Sequence, residues 1–150
     1  ATLAARTVAQ PPAAPEVGAV APAFEAPAAD AKGPLAKPVS LAAHKGKVVV
    51  LAFYPANRTG GCTAELTKFR DEYRTLFGGG PDVVVLPVSK DDLASHQSWA
   101  QEMNFPFALV SDPQLTLAEQ YGSRGASWAN RTVFVIGKDG RIAYRDLRFN

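Results

Sequence analysis

Val48-Val-Val-Leu-Ala-Phe-Tyr54, followed by Pro55-Ala-Asn-Arg-Thr-Gly-Gly-Cys62, is the stretch that decides the fold. The first part is a nearly continuous apolar run rich in β-branched residues, which is typical of a strand buried on both faces. From Leu66 onward apolar residues recur at helical spacing with charged residues between them, so a helix follows at once. Cys62, the only cysteine of the sequence, is therefore predicted in the first turn of that helix.

This position of Cys62 predicts a reactive thiol. The first turn of a helix has unpaired N–H groups and the positive end of the helix dipole, and both favour the thiolate over the thiol. The thiolate is the nucleophilic form of cysteine. Thr59 is placed to cap the helix or to point its hydroxyl at a substrate. The alternative for Cys62 is a buried structural cysteine, which is common for this residue type.

The pattern Pro55-x-x-x-Thr59-x-x-Cys62 resembles the active-site pattern of the peroxiredoxins. Most of residues 17–146 share the resemblance, and the nearest branch is the PrxQ, or bacterioferritin-comigratory, type. Further matching segments are Val17-Gly18-x-x-Ala21-Pro22-x-Phe24, Gly46-Lys-Val-Val-Val-Leu51, Thr63-x-Glu65, Phe69-Arg-Asp71, Ser111-Asp-Pro113 and Arg131-Thr-Val-Phe-Val-Ile-Gly-Lys-Asp-Gly-Arg141. Two positions depart from that branch: Thr67 stands where many members carry a resolving cysteine, and Gly60 replaces the usual proline.

The resemblance implies a role for each residue of the motif. Cys62, Thr59 and Arg131 are the expected catalytic residues. The Arg131 guanidinium would stabilise the thiolate and the charge that develops during the reaction. The expected supporting residues are Pro55, which shields the sulfur, Glu65, which holds the guanidinium, and Gly61, whose N–H completes the peroxide cradle.

Composition limits the size and partners of the protein. The 150 residues, 47% of them hydrophobic, suit one domain with a sizeable core. The net charge of +2 without a Lys/Arg cluster argues against nucleic acid and membrane surfaces as partners. We predict a flexible Ala/Pro-rich segment over residues 1–16 and one domain over 17–150. The resemblance also implies a further C-terminal helix, which we expect to be missing from this sequence.

Strand and helix patterns alternate along the domain. At most short edge strands or a hairpin are expected between residues 24 and 39, because prolines and a glycine interrupt this stretch. Longer strands are predicted at 47–53, 82–88, 131–136 and 141–145, and a short strand at 107–110. Helices are predicted at about 60–77 and 91–103, with Leu93, Trp99 and Met103 on the inner face of the second, and a short helix is predicted at 113–121. This order predicts an α/β protein whose central mixed β-sheet is flanked by helices. It matches the thioredoxin-like fold that the resemblance implies.

The predicted function is a thiol-dependent peroxidase that reduces hydrogen peroxide or small organic hydroperoxides through a sulfenic acid on Cys62. Because the sequence has no second cysteine, an external thiol such as thioredoxin, glutaredoxin or glutathione must reduce that sulfenic acid. No cofactor and no metal are expected. The protein is expected to be a monomer or a weak homodimer. The Ala/Pro-rich start without an initial methionine favours a periplasmic or secreted protein, with a cytoplasmic location as the alternative.

Two other functions stay open, whereas a dithiol oxidoreductase is excluded by the cysteine count. A cysteine hydrolase or transferase would need a histidine base, either His44 or His96, and both are interpreted as surface residues. A non-catalytic binding module with the same fold would keep Cys62 inert. The remaining prominent side chains are given no catalytic role. Trp99 and Trp128 are predicted to pack within the fold, and Arg58 and Arg124 are predicted to be exposed to solvent.

Overall fold

The computed structural model describes residues 13–76 and 82–149. Residues 1–12 of the predicted flexible segment and the predicted helix end at Phe77 lie outside these ranges. The strands are β1 (Glu25–Ala26), β2 (Ala28–Asp30), β3 (Gly33–Pro34), β4 (Val39–Ser40), β5 (Val48–Phe53), β6 (Val83–Ser89), β7 (Leu109–Ser111), β8 (Thr132–Ile136) and β9 (Ile142–Asp146). The helices are α1 (Gly60–Asp71), α2 (Tyr73–Leu76), α3 (Leu93–Met103) and α4 (Thr116–Gln120), with a 3-10 turn at Ala42–His44.

Seven of these strands form one mixed sheet in the order β3-β2-β7-β6-β5-β8-β9. β5 runs parallel to β6, and β6 runs parallel to β7, whereas β8 lies antiparallel to β5 on its other side. β1 and β4 form a separate antiparallel pair. The predicted mixed sheet and the predicted short strands before residue 40 are confirmed.

β5 is the centre of the protein because its alternating side chains enter two separate cores. Val49, Leu51 and Phe53 pack on one face of the sheet, in a cluster that includes residues of α4. Val50 and Ala52 pack on the other face, in a cluster with residues of α1 and α3. A strand with apolar residues on both faces reads as an uninterrupted apolar run, which is why the sequence predicted it well.

Two helices differ from the predictions. α1 ends at Asp71, and a separate short helix, α2, follows it. α4 begins at Thr116 instead of Pro113, because Leu115 has a left-handed backbone with φ of 56° that cannot continue a helix. The Asp112 carboxylate accepts hydrogen bonds from the N–H groups of Leu117 and Ala118, and it therefore caps α4 from a turn earlier.

The first and last described segments pack against the sheet. Val20 forms an isolated antiparallel bridge with Arg141. Arg145 donates hydrogen bonds to the carbonyls of Ala14 and Pro15, at 3.2 and 3.1 Å. None of the helices in the described ranges has the length and apolar character needed to cross a lipid bilayer.

Candidate active site

Cys62 is the third residue of α1 and is fully buried, with 0% of its surface exposed. Six residues separate the end of β5 from the start of the helix, and the last of them, Thr59, is its N-cap residue. The predicted place of Cys62 in the first helical turn is confirmed. The sulfur lies beneath the start of the helix, in the cluster formed by α1, α3 and one face of β5.

Arg131 contacts the sulfur directly. Its Nη2 donates to Cys62 Sγ at 3.5 Å. Arg131 immediately precedes β8, and β8 pairs with β5 so that Thr132 faces Phe53 at the end of β5. The antiparallel pairing of two strands therefore places the guanidinium beside the helix that follows β5.

Gly61 leaves the space through which the guanidinium reaches the sulfur. A Cβ atom on Gly61 would lie 2.7 Å from Arg131 Nη2, closer than non-bonded carbon and nitrogen atoms approach. The same atom on Gly60 would meet nothing within 4 Å. Of the two consecutive glycines at the start of α1, only Gly61 is required by a close contact.

Glu65 forms the second contact of Arg131. Its Oε2 lies 3.6 Å from Arg131 Nη1, and the Glu65 side chain is only 2% exposed. Among the described residues, neither carboxylate oxygen has a hydrogen-bond partner. Burial raises the pKa of Glu65 to about 7, because the cost of desolvating the charged form exceeds the attraction of Arg131. This carboxyl is therefore only partly ionised at neutral pH.

Thr59 and Pro55 lie on the loop that leads into α1. The Thr59 hydroxyl donates to the carbonyl of Ala56 at 3.1 Å and makes no capping hydrogen bond to the helix. The Thr59 side chain is exposed, and Pro55 is half-buried at the bend after β5. The structure thus brings Arg131, Glu65 and Gly61 to the thiol, and it places Thr59 and Pro55 on the connecting loop.

A partly buried chain of hydrogen-bonded side chains on the other side of this loop was not predicted. The Tyr54 hydroxyl donates to Asn57 Oδ1 at 2.6 Å, and Asn57 Nδ2 lies 3.0 Å from His96 Nδ1. His96 Nε2 lies 3.0 Å from the carbonyl of Val110. Since a carbonyl only accepts, Nε2 carries the proton and Nδ1 accepts from Asn57. Burial, partly offset by Asp91, lowers the pKa of His96 and keeps the ring neutral.

The prediction that His96 is a surface residue is wrong, because the side chain is fully buried on α3. The buried residues of that helix are His96, Trp99 and Ala100, and Met103 packs against the same cluster. These positions follow the i, i+3, i+4, i+7 spacing of one helix face, so the periodicity was a usable signal. Leu93, predicted on this inner face, is only half-buried. His44 is also half-buried, and its Nδ1 has no hydrogen-bond partner in the part of the chain that the structure describes.

Of the predictions for the two tryptophans and the two loop arginines, three are confirmed and one is wrong. Packing of Trp99 is confirmed, since it is 1% exposed and contacts Tyr54 and Phe105. The prediction that Trp128 has a packing role is wrong, because this ring is 50% exposed and lies under the Lys90 ammonium, 5.4 Å from the ring centroid. The predicted exposure of Arg58 and Arg124 is confirmed, and each is paired with a glutamate, Glu102 and Glu119 respectively.

An open cleft runs along α1 on the Arg131 side of the thiol. Its volume is about 530 Å³, and its lining includes the apolar rings of Phe69 and Phe149 together with Arg131 and Glu65. The Cys62 sulfur does not line it. Within the two described ranges, no group of three or more His, Cys, Asp or Glu residues is arranged to hold a metal ion.

The defining sequence pattern of the AhpC/TSA family matches residues 17–145. The chain belongs to the AhpC/TSA family. Membership makes it a thiol-dependent peroxidase of the peroxiredoxin type, and its single cysteine fits a one-cysteine mechanism.

Two relatives and one solved structure agree with the predicted type and fold. The putative peroxiredoxin bcp of Coxiella burnetii is 40% identical over 136 residues, which cover 85% of each chain. The chloroplastic peroxiredoxin Q of Triticum aestivum is 38% identical over 111 residues, covering 72% of this chain and 50% of the wheat protein. The crystal structure of peroxidoxin BcpB from Mycobacterium tuberculosis has a TM-score of 0.77 and 30% identity, covering 88% of this chain and 85% of the other.

Proposed function

We propose that Cys62 is the residue that attacks the peroxide and that Arg131 stabilises both the thiolate and the transition state. The observation that carries this proposal is the 3.5 Å contact from Arg131 Nη2 to Cys62 Sγ inside a buried site. A permanent positive charge interacts more strongly with a thiolate that is shielded from water than with one in solvent.

The peroxide step follows from this arrangement. The thiolate attacks one oxygen of the peroxide, the S–O bond forms, and the O–O bond breaks. The electron pair leaves with the distal oxygen, which takes up a proton and departs as water or an alcohol. Negative charge moves from sulfur to oxygen during this displacement, so a fixed cation beside both atoms lowers the barrier. Cys62 is left as a sulfenic acid.

Reduction of the sulfenic acid completes the cycle. A thiol attacks the sulfur of Cys62, water leaves, and a mixed disulfide forms. A second thiol then releases Cys62 and leaves as part of a disulfide. Thioredoxin, glutaredoxin and glutathione are the proposed reductants, and a monomer or weak homodimer is the proposed form. Thioredoxin and glutaredoxin supply both thiols from one molecule, whereas glutathione requires two.

The hydrolase or transferase alternative loses its candidate base. Both ring nitrogens of His96 are occupied, one by Asn57 and the other by the Val110 carbonyl. His44 precedes β5 whereas Cys62 follows it, so the six residues of that strand, about 20 Å long, separate the two. Neither histidine is placed to take a proton from the thiol.

Steady-state turnover tests the proposed function. Peroxide consumption should be measured with thioredoxin and its reductase, with glutaredoxin, and with glutathione as separate reductants. We expect turnover with at least one of them and none with Cys62→Ser. Equal consumption by the wild type and Cys62→Ser would contradict the proposal, and the ratio of rates among reductants identifies the partner.

A further inference from the structure

Another cavity lies at the end of the sheet opposite the active site. Its volume is about 360 Å³, and its lining comes from three segments, residues 20–23, 41–49 and 136–140. The lining reaches the start of β5, whereas Cys62 follows the end of that strand, so a strand about 20 Å long separates the two sites. Pockets for small molecules have volumes of about 300–1,000 Å³, and this cavity therefore suits a small ligand.

Backbone hydrogen bonds hold the three segments together. Val49 pairs with Ile136 where β5 lies beside β8, which joins the second segment to the third. The N–H of Ala21 donates to the carbonyl of Gly140 at 3.0 Å, which joins the first segment to the third. The cavity is therefore formed by the fold itself, and a ligand would not have to pay for ordering it.

The interior of the cavity is largely apolar. Val49 and Ile136 are each 1% exposed, and half-buried Leu41 lies in the same lining. Val20, which also lines the cavity, is 67% exposed, an unusual position for a large apolar side chain. A ligand with an apolar body would cover this surface and remove it from water.

Positive charge surrounds this apolar surface. Lys45, Lys47 and Lys138 line the cavity, and none of the three forms an ion pair within residues 13–76 and 82–149. Asp139 is the acidic residue of the described lining, and its Oδ1 accepts from the N–H of Arg141 at 3.0 Å. A cleft with an excess of one charge concentrates ligands of the opposite charge, which here are anions.

His44 adds a polar atom to the lining that lacks a partner. Its Nδ1 is buried and has no hydrogen bond to any described residue. Burial and, to a smaller extent, Lys47 lower the pKa of His44, so the ring is neutral at neutral pH. A neutral imidazole carries one N–H, and a buried polar group without a partner is destabilising. A ligand oxygen beside Nδ1 would accept that hydrogen bond.

We propose that this cavity binds a small amphipathic carboxylate. The three lysines and His44 Nδ1 hold the carboxylate, and the apolar body lies against Leu41, Val49 and Ile136. A neutral molecule of the same shape lacks the ionic contacts, and a cation is repelled. The site is separate from the peroxide chemistry and does not involve Cys62.

Amide shifts in NMR spectra of the ¹⁵N-labelled protein test both the place and the charge preference. Octanoate should give saturable shifts in residues 41–49 and 136–140, with about tenfold weaker binding of octan-1-ol and weaker binding still of octylammonium. Cys62→Ser should bind octanoate like the wild type, so the result does not depend on the proposed function. No saturable shifts, shifts confined to residues 61–69, or equal affinity for octan-1-ol would overturn the proposal.

Exchange of the lysine charges tests the recognition of the carboxylate. Lys45 and Lys138 are exposed, and Lys45→Glu combined with Lys138→Glu should weaken octanoate binding by about tenfold or more. Lys32→Glu combined with Lys37→Glu makes the same change in net charge at exposed lysines outside the lining, and it should stay within about twofold of wild type. His44→Phe keeps a ring without the nitrogen and should weaken binding severalfold. Equal weakening by the two lysine pairs would show only general attraction and would overturn the proposal.

Discussion

Two buried polar groups flank Cys62, and they are bonded very differently. On the α3 side, the Tyr54 hydroxyl, the Asn57 amide and both nitrogens of His96 all have partners within 3.0 Å. On the β8 side, Glu65 has no hydrogen bond at either carboxylate oxygen within the described residues, and the Arg131 guanidinium lies 3.6 Å from it.

This difference indicates a structural role for the α3 side and an electrostatic role for the β8 side. A fully bonded buried network has one favourable geometry and resists movement. In the Arg131–Glu65 pair, the guanidinium is not fully hydrogen-bonded to the carboxylate. It can therefore also interact with the sulfur of Cys62, which lies beside it. The α3 side therefore holds the loop in position, and the β8 side supplies the charge for the chemistry. Substitutions on the β8 side should change the rate of the peroxide step, and substitutions on the α3 side should change how firmly the loop is held.

Removal of the guanidinium should have the largest effect. Arg131→Met should slow peroxide reduction by about 10²–10³-fold, the usual result of deleting one preorganised donor. Alkylation of Cys62 at neutral pH should also slow, since the thiolate loses its cationic neighbour. Stopped-flow oxidation by hydrogen peroxide measures the first effect. Arg124→Met, which removes an exposed loop arginine, is the control and should leave the rate unchanged.

A rate for Arg131→Met close to that of the wild type would show that the guanidinium is a structural charge. The claim that the β8 side supplies the charge for the reaction would then be wrong.

The consecutive glycines offer a smaller and more selective test. Gly61→Ala places a methyl group 2.7 Å from Arg131 Nη2 and must displace it, so peroxide reduction should slow by about tenfold. Gly60→Ala adds the same group to the same helical turn where nothing lies within 4 Å, so its rate should match the wild type. Equal rates for the two variants would mean that the guanidinium does not need its observed position.

The pH dependence of stability tests the incomplete bonding of Glu65. Its pKa is raised from 4.5 to about 7 in the folded state, so the folded protein binds more protons than the unfolded chain between these values. The free energy of unfolding therefore falls as pH rises through this window, by at most about 3 kcal/mol. Glu65→Gln should lack this loss, and urea unfolding at pH 5 and pH 8 measures it.

Glu102→Gln, at an exposed glutamate, should keep the wild-type pH dependence. If wild type and Glu65→Gln lose the same stability between pH 5 and pH 8, the carboxyl is better solvated than the structure indicates.

The sequence predicted the β8 side of the site better than the α3 side, for a physical reason. β5 and the start of α1 are specified by local patterns, and the resemblance to peroxiredoxins pointed to Arg131. Three partners of Asn57, namely Asp91, Ser95 and His96, lie 34 to 39 residues away, and no local pattern of an asparagine indicates that it will contact another helix. His96 was predictable from the spacing of its helix face, but as a polar residue it was assigned to the surface.

The central claim is that Cys62 is the residue oxidised by peroxide, and intact mass after one equivalent of hydrogen peroxide tests it most directly. The reduced protein should rapidly gain one oxygen atom, a peptide digest should place it on Cys62, and Cys62→Ser should gain none. Rapid oxygen gain elsewhere, or no gain in the wild type at one equivalent, would contradict the account.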